Sequence, residues 1–167
     1  MITEKLYDKD SHIKAFTAKV IDCRKKENGF DVILDKTAFF PEGGGQYADT
    51  GKIGEADIND VQIINGEIVH YPDRALNIGE ELCCEINWEQ RFRRMQNHSG
   101  EHIVSGIVHK LYGYENVGFH LGDDVTIDFD GELTREQLID VEKRANEAIY
   151  KNAKFTCEYP DEETLKN

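Results

Sequence analysis

Two histidines, His98 and His102, are the residues of this sequence whose type and spacing are best suited to chemistry. They lie four residues apart, so in a helix they would share one face with their Cβ atoms about 6 Å apart. From that distance two imidazoles can bind one metal ion. A histidine pair at this spacing also occurs in helices that bind nothing, so a metal site and an ordinary half-buried helix are both open at this point.

The same segment reads HSGEH and matches the H-x-x-E-H pattern of inverted zinc peptidases. In such an enzyme the histidines hold zinc and the glutamate, here Glu101, serves as general base. The sequence gives no independent reason to select the further acidic ligand that a peptidase needs. A serine or cysteine hydrolase has less support, because the G-x-S-x-G motif is missing from the sequence.

A helix is predicted around the pair. Asn87 and Gln90 form a capping-box pattern at its start, and Gly113 is a glycine terminator at its end. Apolar residues recur between these ends at intervals of three and four, which predicts one face that packs on a core. These residues are Phe92, Met95, Ile103, Ile107 and Leu111.

Residues 1–87 carry short runs that are typical of strands. Two hairpins are predicted, with type I′ turns at Asn28–Gly29 and Asn65–Gly66. A further strand is predicted within residues 75–87, and a glycine-rich loop over residues 37–54. Short strands at this spacing predict a small β-barrel or sandwich.

From Trp88 onward the apolar period becomes helical. After the central helix we expect two short strands, His120–Gly122 and Val125–Phe129, then a helix capped by Thr134 and a last strand at residues 153–160. The predicted fold class is therefore α+β. We expect two domains, a β-barrel domain over residues 1–87 and an α+β domain over residues 88–167.

The composition restricts the classes of function. The formal net charge of −13 argues against a general nucleic-acid binder, because phosphate neutralisation needs a cationic surface. Any RNA contact has to be local, unless the basic residues are ordinary solvated ones. The candidates are Arg91, Arg93 and Arg94 at the start of the helix, Lys110 near its end, and Arg24, Lys25 and Lys26 in the first hairpin. Cysteines without CxxC spacing favour reduced thiols. Because a signal peptide and a run of about eighteen apolar residues are both missing, we expect a cytoplasmic protein.

Three segments together are more specific than the histidine pair alone. They are TAFFPEGGGQYADTG at residues 37–51, RRMQNHSGEH at 93–102 and NVGFHLGDDVTIDFDG at 116–131. In this order and spacing they resemble the editing domain of alanyl-tRNA synthetase and the freestanding AlaX-type trans-editing proteins. The resemblance covers essentially the whole chain, and it implies a small β-barrel followed by an α/β editing domain with a central HxxxH helix.

The resemblance implies an aminoacyl-tRNA deacylase, a carboxylic ester hydrolase that removes seryl or glycyl groups from mischarged alanine tRNA. The family's zinc is bound by an HxxxH pair, matched here by His98 and His102, and by a later CxxxH element. The sequence departs from that pattern, since Asp161 stands four residues after Cys157. We therefore expect an N-terminal fragment whose two further zinc ligands lie outside this chain.

The resemblance also implies which residues line the site and what they bind. The expected catalytic residues are Gln46, Thr37 and His120, and the expected substrate-binding residues are Gly43, Gly44, Gly45 and Phe119. The expected partner is tRNA, and Glu101 is expected to be structural. Two alternatives stay open, a zinc peptidase and a non-catalytic RNA- or protein-binding module on the same fold.

Overall fold

The computed structural model describes residues 2–121, 125–152 and 154. Its elements, in chain order, are β1 (Glu4–Lys5), a 3-10 helix (Leu6–Asp8), β2 (Ala15–Lys26), β3 (Gly29–Leu34), β4 (Lys36–Thr37), β5 (Gly51–Ile53), β6 (Ala56–Ile64), β7 (Glu67–Pro72), β8 (Glu81–Ile86), α1 (Trp88–Tyr112), β9 (Asn116–Leu121), β10 (Val125–Phe129) and α2 (Arg135–Tyr150). The α+β class is confirmed. The strand expected at 153–160 lies outside the described residues apart from residue 154, and so does Cys157. The division into two domains at Trp88 stays a prediction.

Six antiparallel strands pair in a closed ring, in the order β2, β3, β7, β6, β5 and β8. The strand β5 lies within the segment that was predicted to be a loop, so that prediction is wrong for Gly51–Ile53. This short strand pairs with both β6 and β8. A Cβ atom on Gly51 would lie 2.1 Å from the carbonyl oxygen of Glu85. The close approach of β5 and β8 therefore requires a glycine.

The two hairpin turns differ in how well the sequence predicts them. At Asn65–Gly66 both residues have positive φ, 51° and 83°, as a type I′ turn requires, so this prediction is confirmed. In the first hairpin Lys26 pairs with Gly29, which leaves Glu27 and Asn28 as the loop. The predicted turn at Asn28–Gly29 is wrong by one residue. Gly29 rather than Asn28 takes the positive φ there, because glycine has no Cβ atom to clash.

The main core fills the interior of the barrel. Strand β2 shows how the period of two produces it, since Ala18 and Val20 are buried while Lys19 between them is exposed. The largest apolar side chains that are fully buried there are Phe39, Leu34, Ile53 and Ile58. Burying apolar surface of this kind is the main source of folding free energy.

Helix α1 has the ends that the sequence predicts. The Asn87 side chain accepts a hydrogen bond from the backbone N–H of Gln90, and Gly113 ends the helix in the left-handed conformation. The Gln90 side chain does not complete a capping box. It accepts instead from the hydroxyl of Thr50 at 2.8 Å, and this bond ties the first turn of the helix to the barrel.

The apolar face predicted for α1 is only partly buried. Phe92 is 42% exposed and Leu111 is 36% exposed, so the prediction that both pack on a core is wrong. The residues of α1 that are buried are Arg91, Glu101 and Val108. Two of these three are charged, so polar contacts as well as apolar packing fix this helix.

The elements after α1 form a small layer against it. The predicted strand β10 (Val125–Phe129) is confirmed, whereas the strand before it begins at Asn116 rather than at His120. Its start is set by its partner, because Asn116 pairs with Phe129 at the far end of β10. Helix α2 has the complete capping box that Thr134 predicts. No helix within the described residues is long and apolar enough to cross a membrane.

A buried ion pair joins the barrel to α1. Nε of Arg91 donates to both carboxylate oxygens of Asp49, at 2.8 and 2.9 Å. The guanidinium also donates to the carbonyl oxygens of Ser11 and Ala38, at 3.0 and 2.6 Å. Arg91 is only 2% exposed, so its candidacy as an RNA contact is wrong. Because these bonds fix Asp49, they also hold the preceding glycine loop against the helix.

Candidate functional site

The histidine pair lies in the middle of α1, on adjacent turns of one face. The rings of His98 and His102 are stacked, with centroids 4.9 Å apart and an angle of 28° between their planes. The side chain of His102 is 66% exposed. This arrangement places two imidazoles close enough to act on one ligand.

Each imidazole has its Nδ1 atom next to an acceptor oxygen. Nδ1 of His98 lies 3.2 Å from Oε1 of Gln46, which comes from the barrel side. Nδ1 of His102 lies 3.1 Å from Oε2 of Glu101. An imidazole that donates from Nδ1 keeps the lone pair of Nε2 for another partner. The hydrogen bond of His98 therefore leaves its Nε2 atom for another partner, whereas the contact of His102 with Glu101 is a close approach without hydrogen-bond alignment.

The environment of His98 favours its neutral form. Burial lowers the pKa of His98 and the neighbouring His102 lowers it further, whereas Glu101 acts in the opposite direction. A neutral imidazole is the form that binds a metal. The surroundings of His98 therefore favour the neutral form that a metal site would need, and Gln46 orients its ring.

The three glycines build the turn that presents Gln46. The backbones of Gly43 and Gln46 exchange two hydrogen bonds of 3.0 Å each, and the two residues between them, Gly44 and Gly45, have φ values of 58° and 78°. Such a turn favours glycine at both central positions. Its result is that the Gln46 side chain, in a residue only 6% exposed, meets His98. The role of Gly43, Gly44 and Gly45 in substrate binding stays a prediction.

Phe119 packs against His98 from strand β9. Its ring centroid lies 5.8 Å from that of His98, at 40° between the planes. A Cβ atom on Gly45 would lie 2.9 Å from Cδ1 of Phe119, so the ring occupies the space that a side chain would need. The glycine turn, the aromatic ring and the imidazole are therefore in mutual contact.

His120 follows Phe119 and lies apart from the pair. Successive residues of a strand point to opposite faces, so His120 cannot share the position of Phe119. Its side chain is 72% exposed, and its Nε2 lies 3.8 Å from a carboxylate oxygen of Asp128. The structure does not bring His120 to the histidine pair within the residues it describes, and its catalytic role stays a prediction.

Thr37 lies inside the barrel. It is fully buried, and its hydroxyl lies 2.9 Å from Nε2 of His70, which is also fully buried. Nδ1 of His70 donates to the carbonyl oxygen of Val32 at 3.2 Å, so Nε2 is left to accept from the Thr37 hydroxyl. In the described part of the chain the bonds of Thr37 lead into the barrel rather than to His98. Its catalytic role stays a prediction.

Glu101 is the buried acidic residue of the site. Its side chain is 4% exposed. One carboxylate oxygen, Oε1, accepts hydrogen bonds from Ser105 and, at 2.6 Å, from the side-chain amide of Asn116. The other oxygen faces His102. A buried carboxylate needs such partners, and here they connect α1 to the first residue of β9.

Two imidazoles fit zinc as part of a ligand set. Zinc sites usually have four ligands, and histidine nitrogen is one of the common ones. Within the described residues there is no cluster of three or more His, Cys, Asp and Glu side chains that could hold a metal ion. Within the described residues, His98 and His102 are thus two possible ligands of such a set, and the zinc ion stays a prediction.

Sequence reasoning missed two buried polar residues of the barrel side, of which Asp49 supports the site and His70 belongs to the barrel interior. Asp49 carries no signal that distinguishes it from other acidic loop residues, because its partner Arg91 is 42 positions away. His70 stands in the run IVHY between residues suited to a core, and this position could have indicated a buried histidine. The resemblance implied that Gln46 lies in the same site as the histidine pair, and the structure places its Oε1 atom 3.2 Å from Nδ1 of His98 across 52 positions of sequence.

The chain is similar to proteins named for alanyl-tRNA editing. A family model described as tRNA synthetases class II (A) matches residues 4–90. The chain is 34% identical to the alanyl-tRNA editing protein AlaX-L of Pyrococcus horikoshii, over 99% of this chain and 44% of that protein. It is 35% identical to AlaX-M of Saccharolobus solfataricus, over 98% of this chain and 72% of that protein.

A synthetase is among the relatives as well. The alanine–tRNA ligase of Ignicoccus hospitalis is 37% identical over 92% of this chain and 18% of the ligase. The chain thus spans less than half of the length of the Pyrococcus protein and most of the length of the Saccharolobus protein. With the family match over residues 4–90 and an alignment that covers most of both chains for AlaX-M, this chain belongs to the family of class II (A) tRNA synthetases and alanyl-tRNA editing proteins.

Proposed function

We propose that this chain belongs to an aminoacyl-tRNA deacylase that hydrolyses the seryl or glycyl ester of mischarged alanine tRNA, with zinc at His98 and His102. The observation that carries the proposal is the stacked histidine pair on α1, in which Nδ1 of His98 meets Gln46 from the glycine turn. The names of the relatives support an editing reaction on tRNA. We assign the activity to the cytoplasm, where tRNA is charged.

Ester hydrolysis needs water, a group that polarises the carbonyl and a pocket for the amino acid. Zinc bound by the pair would supply Lewis-acid chemistry. Gln46 would hold the His98 ring in place, and the Phe119 ring packs against it. Because Gly45 has no side chain, the space beside it is left for the Phe119 ring. These residues would position His98 beside the ester.

Gln46 also has a group that can select the amino acid. Its Oε1 atom faces His98, so its amide nitrogen is the end that can donate to a seryl hydroxyl. A site that hydrogen-bonds a hydroxyl discriminates strongly against an analogue without it. Alanine and glycine both lack this hydroxyl, so this contact would favour the seryl ester over both and would not by itself explain removal of glycine.

The peptidase alternative has less support because of the surroundings of Glu101. A general base has to reach the water from which it takes a proton. The Glu101 carboxylate is 4% exposed, and its Oε1 atom accepts from Ser105 and Asn116. A residue with these contacts is better suited to orient its neighbours than to exchange protons with solvent.

The test uses alanine tRNA charged with serine, with glycine or with alanine. Release of the amino acid is measured with the protein at its natural length. We expect release of serine or glycine with little release of alanine, and a loss of about 100-fold or more in His98→Ala or His102→Ala. The matched control is His109→Ala, because His109 is an exposed histidine of the same helix whose contact is Glu115. Wild-type rates in both His98→Ala and His102→Ala would contradict the zinc assignment. Tight binding of tRNA without turnover would instead favour a binding module.

A further inference from the structure

Arg94 and Tyr47 form a second contact between α1 and the glycine turn, one helical turn before the histidine pair. The guanidinium carbon of Arg94 lies 5.6 Å from the centroid of the Tyr47 ring. We propose that these two residues bind the terminal nucleotide of the tRNA, with the guanidinium on its phosphate and the phenol ring against its base. The inference rests on the proposed function, since it names a part of that substrate and the residues that hold it.

The contact belongs to the same two segments that bring Gln46 to His98. Gln46 and Tyr47 are consecutive in the chain, whereas Arg94 and His98 lie four residues apart in α1 and therefore on one face. Gln46 meets His98, and Tyr47 meets Arg94. The candidate site is thus extended by one turn toward the start of α1.

The spacing of Arg94 and His98 suits the end of a charged tRNA. The ester and the phosphate of the terminal nucleotide are joined through a single ribose ring, so they lie only a few bonds apart. Residues four apart in a helix are separated by about 6 Å along its axis. A phosphate bound by Arg94 would therefore leave the ester within reach of His98.

Arg94 has donors that the fold does not use. A guanidinium has five N–H donors in a planar fork that matches the oxygens of a phosphate. Within the described residues, Arg94 donates from Nη1 to the carbonyl oxygen of Ala48 and forms no salt bridge. Burial lowers the pKa of Arg94 and Asp49 opposes this shift, so an approaching phosphate would meet a partly desolvated cation.

Other basic residues that were candidates for RNA contacts have carboxylate partners instead. These pairs are Arg91 with Asp49, Arg24 with Asp22 and Glu67, and Lys26 with Asp31. Arg94 differs because its described partners are a carbonyl group and an aromatic ring. In a chain with a formal net charge of −13, such a cation beside the site supplies a local attraction for a phosphate.

Tyr47 supplies a surface for the base. It is 49% exposed although its neighbours Gln46 and Ala48 are buried. Aromatic side chains stack on the bases of single-stranded nucleic acids with little dependence on sequence, and arginine adds a cation–π contribution. A purely structural role for Arg94, in which it only ties Tyr47 and Ala48 to α1, would leave the binding of a ligand independent of its phosphate.

The test compares two ligands that cannot be hydrolysed as esters, with the protein at its natural length. One is adenosine whose 3′ oxygen is replaced by a seryl amide, and the other is the same compound with a 5′ phosphate. We expect the wild type to bind the phosphorylated ligand about 10-fold more tightly, as a charge-assisted hydrogen bond implies. Calorimetric titration measures both affinities, and the difference should decrease at higher salt.

Three variants at the two arginines assign this difference to one residue. Arg94→Gln should lose it, whereas Arg94→Lys keeps the charge without the planar fork and should retain part of it. The matched control is Arg93→Gln, because Arg93 is an exposed arginine at the adjacent position of α1 and should keep the full difference. Tyr47→Leu should weaken both ligands by the same factor of about 10, because the base is common to them.

Equal affinities for the two ligands, or binding of neither, in the wild type would overturn the inference whether or not the variants fold. A full phosphate effect in folded Arg94→Gln would overturn it too. If the phosphate effect behaves as expected in a protein that releases no serine or glycine from tRNA, the inference stands and the proposed function fails. If the protein releases serine but binds both ligands equally, the function stands and the inference fails.

Discussion

Arg91 and Asp49 form a buried ion pair that joins helix α1 to the barrel. Nε of the arginine donates to both oxygens of the carboxylate, and both side chains are at most 2% exposed. One of these oxygens also accepts from the backbone N–H of Phe40 at 2.7 Å. Asp49 lies three residues after Gln46, and Arg91 lies seven residues before His98. The ion pair therefore fixes the two segments that bring Gln46 and His98 together.

We expect Asp49→Ala to destabilise the fold strongly. Removing one partner leaves a buried guanidinium without its counter-charge, which typically lowers the free energy of unfolding by about 3–5 kcal/mol. Urea denaturation measures the change. The matched control is Asp140→Ala, which breaks the exposed pair with Arg144 on α2 and should have a small effect. Equal losses in the two variants would show that the buried pair does not hold the helix.

Gly45→Ala and Gly44→Ala should differ although both residues have positive φ. At Gly44 a Cβ atom meets nothing within 4 Å, so its cost is backbone strain of about 1–2 kcal/mol. At Gly45 the same strain is joined by a contact of 2.9 Å with Phe119, which adds about 1–3 kcal/mol. Thermal unfolding measures both losses. Nuclear Overhauser effects between ring protons of Phe119 and His98 should weaken in Gly45→Ala but not in Gly44→Ala. Unchanged effects in Gly45→Ala would contradict this packing.

Stability should fall as the pH decreases from 7 to 5, because of His70. Burial lowers the pKa of His70 to about 4, against the bond to Val32, which raises it. The unfolded chain, with a histidine pKa of about 6.5, then binds more protons than the folded chain in this range. His70 should account for a loss of about 2 kcal/mol between pH 7 and pH 5.

The measurement for His70 is urea denaturation at both pH values. His70→Phe has no group to titrate, so its stability should change less between pH 7 and pH 5 even though it loses the bonds to Thr37 and Val32. The difference between the two pH dependences, rather than the stability at one pH, tests the prediction. Parallel curves for wild type and variant would refute it.

Cys83 and Cys84 should differ in reactivity although they are neighbours. Cys84 is buried, and burial raises the pKa of its thiol to about 12, with a further contribution from Cys83. The thiolate is the reactive form, so Cys84 should resist alkylation at about pH 8. Cys83 is exposed and should be labelled. Mass spectrometry of peptides from the labelled, folded protein distinguishes the two, and unfolding should make both react.

The parts of the fold that depend on nearby residues could be predicted from the sequence. The bounds of α1 follow from Asn87 and Gly113, and the second hairpin follows from Asn65–Gly66. Alternation predicts that Cys83 and Cys84 point to opposite sides of β8, and the structure confirms it. The strand β5 failed because distant partners set it, namely its neighbours β6 and β8. The first hairpin turn failed by one residue although it is local.

The same distinction applies to the site. The histidine pair is predictable because both residues belong to one helix. The sequence does not show that Gln46 meets His98, since that contact depends on the closed barrel and on the buried pair that follows Gln46 along the chain. Glu101 was expected to be structural, yet the structure places it against His102 as well. The hydrogen bond that its carboxylate accepts from Asn116, on another element, is a second contact that nearby sequence does not indicate.

The position of Arg91 along α1 sets how strongly motion of the helix reaches the site. The helix has 25 residues and is about 37 Å long. His98 lies about 10 Å from Arg91 along the axis, and Tyr112 lies about 31 Å from it. If the helix tilts as a rigid rod about Arg91, a displacement of about 3 Å at Tyr112 becomes about 1 Å at His98. Because Arg91 lies closer to the histidines than to Tyr112, the C-terminal end of α1 can change its contacts while His98 moves only about a third as far.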